Sequence, residues 1–262
     1  MTTTPPPENE CGSVLWLASY PKTGSTWLRE ILTNILVPGG DARLSAIPSF
    51  QKAWPEDVPQ YLLWGEPVHL LKTHLFPQNP RMRACPHRTL GAITIRRHPL
   101  DILLSALNYA KVKGKADVFL NQAIKPVEDI IADDEFPYYI DQFSENDGFP
   151  WFSGPAGELS LYRERWLSFT QDLPHHEICY EDLFADPENG IRDLLGFLQI
   201  EATPEDIQRV YRTADRRTAQ NGAFFWKRRA YNFEDILSSA LIAAFHAKCA
   251  DQLAGSGYPA RH

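Results

Sequence analysis

The string Tyr20-Pro21-Lys22-Thr23-Gly24-Ser25-Thr26-Trp27 constrains this chain more than any other, because of what stands on either side of it. Before it, Ser13-Val-Leu-Trp-Leu-Ala-Ser19 is short and almost wholly apolar, the pattern of a strand buried on both faces. After it, Trp27, Leu28, Ile31, Leu32 and Ile35 recur at helical spacing until Pro38-Gly39-Gly40 ends the run. A buried strand turning sharply into a helix offers the helix's unpaired first N–H groups, and the positive end of its dipole, to whatever sits above the turn. Lys22 adds a full charge there, Gly24 lets the backbone approach an anion, and Thr23, Ser25 and Thr26 carry hydroxyl donors. The lysine precedes the glycine, so this is not the nucleoside-triphosphatase loop GxxxxGK[ST]. No strand-ending Asp stands ready for magnesium, which favours a metal-free group transfer over a kinase.

Two further apolar runs, residues 68–73 and 90–95, suit buried strands, and residues 176–180 read as another. Between them lie helical patterns: one from Pro99 with Ile102, Leu103, Ala106 and Leu107 on one face, then residues 157–172, 191–198, 204–214 and a long stripe over 233–253. Strands alternating with helices imply an α/β fold with a mostly parallel central sheet, flanked by helices and binding ligands at the carboxyl ends of its strands. Residues 41–67 read as a loop rich in Pro and Trp, and 111–154 as a mobile excursion over the site. A chain of 262 residues with 44% hydrophobic content fits a single domain over 13–262, preceded by a flexible polar leader at 1–12.

Charge and composition exclude several functions. A formal net charge of −7 argues against a general nucleic-acid binder, which needs a surplus of Lys and Arg. Four cysteines, Cys11, Cys85, Cys179 and Cys249, form no CxxC pair, so neither zinc nor a disulfide framework is indicated and a reducing cytoplasm fits. The apolar runs are too short to cross a membrane.

Three more strings follow the loop in order. Lys72-Thr73-His74-Leu75 ends a strand with Lys72 and His74 on one side, where a neutral imidazole can remove a proton. Ile95-Arg96-Arg97-His98-Pro99-Leu100-Asp101 ends another strand and opens a helix that carries Ser105; an arginine there offers several planar donors to a phosphate. Tyr180-Glu181-Asp182-Leu183 closes the last strand.

Together these resemble the sulfotransferases that use 3'-phosphoadenosine 5'-phosphosulfate (PAPS), over roughly residues 13–227. The first string is similar to their YPKSGTTW loop with Ser and Thr exchanged, and the others to their KTH, RNPxD and YEDL segments, His98 replacing the usual Asn. The resemblance implies that Lys22, Thr23, Gly24, Ser25 and Thr26 hold the 5'-phosphate and Trp27 stacks on adenine. It places Arg97 and Ser105 at the 3'-phosphate and Tyr180 near the adenosine. His74 would be the general base, with Lys22 and Lys72 meeting charge at the transferred group. The family's RKGxxGDWK segment is only partly kept, by Arg217, Gly222 and Trp226-Lys227, so Arg217 and Gly222 are weaker donor candidates. The dimer motif of the animal enzymes is not recognisable, which leaves oligomeric state open. The implied activity is sulfuryl transfer from PAPS to a hydroxyl or amine of a small-molecule acceptor, without metal. A kinase-like phosphotransferase and a catalytically silent nucleotide-binding protein are the alternatives.

Overall fold

The strand into which residues 13–19 fold lies at the middle of a sheet whose other members arrive from both directions along the chain. The structure is a computed structural model, which describes residues 12–37, 44–55, 57–113, 125–149, 155–220, 222 and 227–259; most of the expected leader lies outside them. Among the described residues six strands are formed: β1 Ser13–Ser19, β2 Ser49–Phe50, β3 Gln60–Leu63, β4 Glu66–Thr73, β5 Arg88–Arg96 and β6 His175–Cys179. The order is β2-β4-β1-β5-β6, every pair along it parallel, with β3 antiparallel at the outer side of β4. Every side chain of β1 is buried, as expected for a strand covered on both faces. In register, Ala18 stands between Thr73 and Thr94, and Arg96 opposite Cys179. The strands β4, β1, β5 and β6 therefore end side by side, and the sequence motifs follow them.

Helices cover both faces. On one, α1 (Ser25–Leu36) buries Trp27, Leu28, Ile31 and Leu32 against two later helices, Pro187–Leu198 and Pro204–Ala219. Each fully buried aliphatic side chain contributes roughly 2 kcal/mol. On the other face lies the helix Pro99–Lys113, whose Leu100, Leu103 and Leu107 enter the core beside Trp16 and Trp166.

Three expectations need correction. The stretch 41–67 is not all loop: it holds β2 and the β3–β4 hairpin, turned by Trp64 (φ 53°) and Gly65 (φ 82°). Two positive φ angles suit a tight hairpin turn, and tryptophan is an unusual residue for the first of them. The stretch 111–154 holds helices Val127–Ala132 and Phe136–Glu145, the latter burying Phe136, Tyr139, Ile140 and Phe143; residues 114–124 and 150–154 lie outside the described residues. The long C-terminal stripe is three helices, Asn232–Ile236, Ser239–Lys248 and Ala250–Gly255. It breaks where the Ser238 side chain caps the second by accepting from the Leu241 N–H.

Candidate active site

The turn from β1 to α1 is built for close approach. Lys22 adopts φ 74°, a left-handed conformation that costs a non-glycine residue about 1 kcal/mol or more. The Thr23 hydroxyl, donating to the Tyr20 carbonyl at 2.8 Å, helps to hold the turn. Gly24 (φ 101°) is the residue before the helix and has no side chain with which to cap it. A Cβ on Gly24 would lie 2.5 Å from the Tyr180 ring, so glycine is required here by contact as well as by conformation. The loop and the start of the helix after β6 are thus packed directly on each other.

Above the loop stands a cluster of cations. Lys22 Nζ lies 4.4 Å from the centre of the Tyr109 ring, and burial followed by the charge of Arg97 lowers its pKa to about 7. Lys72 is buried, and burial, then Arg29, then Lys22 push its pKa well below the usual lysine range. His74, just past the end of β4, is held well below the usual histidine range by burial first and by Lys72, Lys22 and Arg29. Its Nδ1 is 2.6 Å from the Ser19 carbonyl and 3.1 Å from the Ser19 hydroxyl. A carbonyl can only accept, so Nδ1 carries the proton and Nε2 of the neutral ring keeps its lone pair. Among the described residues, the charges that shift Lys22, Lys72 and His74 come from Arg97, Arg29, Lys22 and Lys72. Such a cluster favours a bound polyanion, because the anion relieves repulsion already present.

At the ends of β5 and β6 the charges are balanced. Arg97 is buried, pairs with Asp101 at 3.2 Å, donates to the Arg229 carbonyl at 3.1 Å and lies 4.3 Å from the centre of the Tyr180 ring. Burial opposes its charge, but Asp101, Tyr180 and Glu181 outweigh that and raise its pKa. Asp101 also accepts from the Phe233 N–H at 3.3 Å, tying the C-terminal segment to the site. Glu181, buried, accepts from the His98 N–H at 2.9 Å and from the Tyr258 hydroxyl. Asp101, the half-buried Ser105 and Tyr109 follow at four-residue steps along one side of their helix. Tyr109 meets Lys22 and Asp101 meets Arg97, so Ser105 lies on the stripe between the two ends of the site. Trp27 is buried with its ring edge-on to Tyr180 at 5.7 Å, which places both aromatics beside the loop.

The structure thus brings together Lys22, Thr23, Gly24, Ser25, Thr26, Trp27, Lys72, His74, Arg97, Ser105 and Tyr180. Arg217 instead faces Glu30 of α1 at 3.3 Å, and Gly222 is exposed; residues 223–226 lie outside the described residues. Two arginines escaped the sequence reading. Arg228, paired with Asp215, is close enough for its charge to act on the Tyr180 hydroxyl. Arg29 acts on Lys72 and His74, and its signal in the sequence was its place one helical turn beyond Ser25. Trp54 and Trp64, from the Trp-rich stretch 41–67, pack within the fold: Trp54 stacks on His87 at 3.8 Å and Trp64 donates to the Phe197 carbonyl at 2.9 Å.

Comparison with known proteins shows the family of the chain. Residues 13–232 match the family described as Sulfotransferase domain. Rat sulfotransferase 1A1 (Rattus norvegicus) is 28% identical over 218 residues, covering 79% of this chain and 67% of the relative. Human sulfotransferase 2B1 (Homo sapiens) is 24% identical over 193 residues, covering 70% of this chain but only 46% of the relative, so the chain spans about half that protein's length. Among solved structures, mouse sulfotransferase SULT7A1 complexed with PAP superposes with a TM-score of 0.63 at 15% identity, covering 94% of this chain and 88% of the other. Retinol dehydratase in a complex with retinol and PAP does so with 0.61 at 17% identity, covering 92% and 81%. At these identities the superpositions speak to the fold.

Proposed function

The chain belongs to the sulfotransferase-domain family, and from that premise we propose that it transfers a sulfuryl group from PAPS to a hydroxyl of a small-molecule acceptor, with His74 as general base. The observation that carries the reading is an imidazole held neutral and oriented through Nδ1 beside the buried cations Lys72, Lys22 and Arg29. Nδ1 of His74 is committed to the Ser19 carbonyl, so Nε2 can take the acceptor's proton. As the acceptor oxygen bonds to sulfur, the bond from sulfur to the bridging phosphate oxygen breaks and negative charge gathers on that oxygen. Lys22, at the strand-to-helix turn, meets it, and Lys72 supports the sulfuryl oxygens. The loop N–H groups and the hydroxyls of Ser25 and Thr26 hold the 5'-phosphate. Arg97 and Ser105 take the 3'-phosphate, while Trp27 and Tyr180 border the adenosine. No step in this scheme is assigned to a metal ion. That relatives were solved with PAP supports the donor, and retinol in one of them supports a small apolar alcohol as the class of acceptor. No helix among the described residues is long and apolar enough to cross a membrane, and a cytoplasmic enzyme is part of the reading.

Thermal unfolding with 3',5'-adenosine bisphosphate, adenosine 5'-monophosphate and ATP with magnesium tests the donor assignment. The bisphosphate should stabilise the protein most, and Arg97→Ala should erase its advantage over the monophosphate. Equal shifts from both in the unaltered protein, or a preference for ATP with magnesium, would overturn it. Turnover of labelled PAPS across phenols, alcohols and amines then identifies the acceptor; no product with any class would favour a silent binding protein.

A further inference from the structure

The segment 44–50 crosses from α1 to β4 and is fastened at both ends. Arg29 Nη2 donates to the Leu44 carbonyl at 2.8 Å and to the Ile47 carbonyl at 2.6 Å. On the far side the Pro48 carbonyl accepts from the Lys72 N–H at 2.9 Å, the Phe50 carbonyl accepts from the Thr73 hydroxyl at 3.0 Å, and Ser49–Phe50 pairs with Lys72–Thr73. This closes a circuit from the helix of the phosphate loop, through Arg29 and the segment, to the strand end that carries Lys72 and His74. Helix geometry puts Arg29 above Ser25 on the loop's side. Arg29 Nε is buried and finds no acceptor among the described residues, so the guanidinium is held by the two carbonyls; burial acts against its charge and the neighbouring Glu30 carboxylate supports it.

From this geometry we infer that Arg29 is a positioning residue for sulfuryl transfer: it sets the distance between the phosphate loop and the Lys72–His74 strand end. The inference rests on the proposed role of His74. The groups facing that imidazole are Lys72 on its own strand, Lys22 from the loop, Arg29 from α1 and the Ser19 carbonyl from β1. The nearby hydroxyls of Tyr20 and Tyr162 stay protonated because burial raises both. The charge of Arg29 is one of three that oppose protonation of His74, an electrostatic role added to the spacing role, and its removal is expected to raise the His74 pKa.

The test uses Arg29→Met, which loses both charge and fork, and Arg29→Lys, which keeps the charge. His74 is titrated by nitrogen NMR of the imidazole, and kcat/KM is followed against pH. In Arg29→Met the His74 titration and the acid limb of kcat/KM should both move up by about half a unit or more. In Arg29→Lys they should stay in place while kcat falls about tenfold; bisphosphate affinity should hold within a few-fold in both variants. An unmoved His74 titration in Arg29→Met, or the same displacement in Arg29→Lys, would overturn the electrostatic role. Full kcat in Arg29→Lys would overturn the spacing role. If Arg29→Met fails to fold, the Arg29→Lys kcat and the NMR titration of the bisphosphate-stabilised Met variant still decide. A titration that moves without any change in the acid limb would instead count against His74 as base, which separates the two failures.

Discussion

Between the Lys22 end of the site and the Arg97 end, the sign of the charge is the same and its surroundings are opposite. Lys22, Lys72 and His74 are acted on by other cations, and each is pushed toward its neutral form. Arg97, only slightly exposed, has Asp101 against it and Glu181 close behind, and is driven further into its charged form. A buried cation with a counter-charge is rigid and permanently charged, suited to selecting a phosphate that does not change during reaction. Buried cations pressed by other cations hold their protons loosely and strengthen when an anion arrives, which suits the end where bonds break. Gly24, pressed against Tyr180, joins the two ends, since Tyr180 also lies against Arg97.

The comparison breaks most visibly at Lys22. Lys22→Met should lower kcat by about 10³-fold, the scale of deleting a donor aimed at developing charge, with a much smaller loss of bisphosphate affinity because the Arg97 end is untouched. Rapid-quench turnover beside a binding titration reads both. Affinity and kcat falling in equal proportion would mean that Lys22 only binds, and the two ends would then differ in degree alone.

At the same end, His74→Gln should lower turnover by about 10²-fold for an aliphatic alcohol and by less for an acidic phenol, which is already partly ionised. Bisphosphate stabilisation should survive, since Arg97, Ser105 and the loop remain. Steady-state rates for the two acceptor types separate base catalysis from general damage, which would depress both alike.

Much of this site was legible because its residues sit in short strings at strand ends, where a parallel sheet gathers them whatever the loops do. The Tyr20–Trp27 string and the Arg97, Asp101 and Tyr180 positions could be placed that way, and the parallel sheet followed from strand-helix alternation. What was not legible depends on contacts between distant segments or on backbone choices that residue type disfavours. Arg29 acquires meaning only once Leu44 and Ile47 turn their carbonyls toward it. The β3–β4 hairpin was hidden because Trp64, not Asn or Asp, takes the left-handed turn position. The C-terminal stripe is continuous in hydrophobicity, so its break at Leu237-Ser238 shows only in the cap at Ser238. Arg228 gave no sign, since its relation to Tyr180 comes from the approach of two segments far apart in sequence.

The smallest expected effect is also the one that most sharpens the comparison, because it reads protons directly. In the free protein Lys22 has a pKa of about 7, well under its value in the unfolded chain. Between those values the unfolded chain binds more protons than the fold, so this lysine's contribution to stability is fully present above its unfolded pKa and lost as pH falls through about 7. A bound bisphosphate restores the charge, so the complex takes up a proton wherever free Lys22 is neutral. Affinity should therefore decline as pH rises from 7 to 9, with a slope approaching tenfold per pH unit, and the depressed Lys72 adds in the same direction. The ligand's own phosphates are ionised over that range and contribute little to the slope. Arg97 contributes none, being charged throughout. Calorimetry in buffers of different ionisation enthalpy measures the uptake, and the share of Lys22 should be lost in Lys22→Met but only reduced in Arg97→Ala, because burial, the larger cause of the low Lys22 pKa, remains after the charge of Arg97 is gone. Uptake that vanished with Arg97 and survived the loss of Lys22 would invert the comparison, making the Arg97 end the one that waits for its proton.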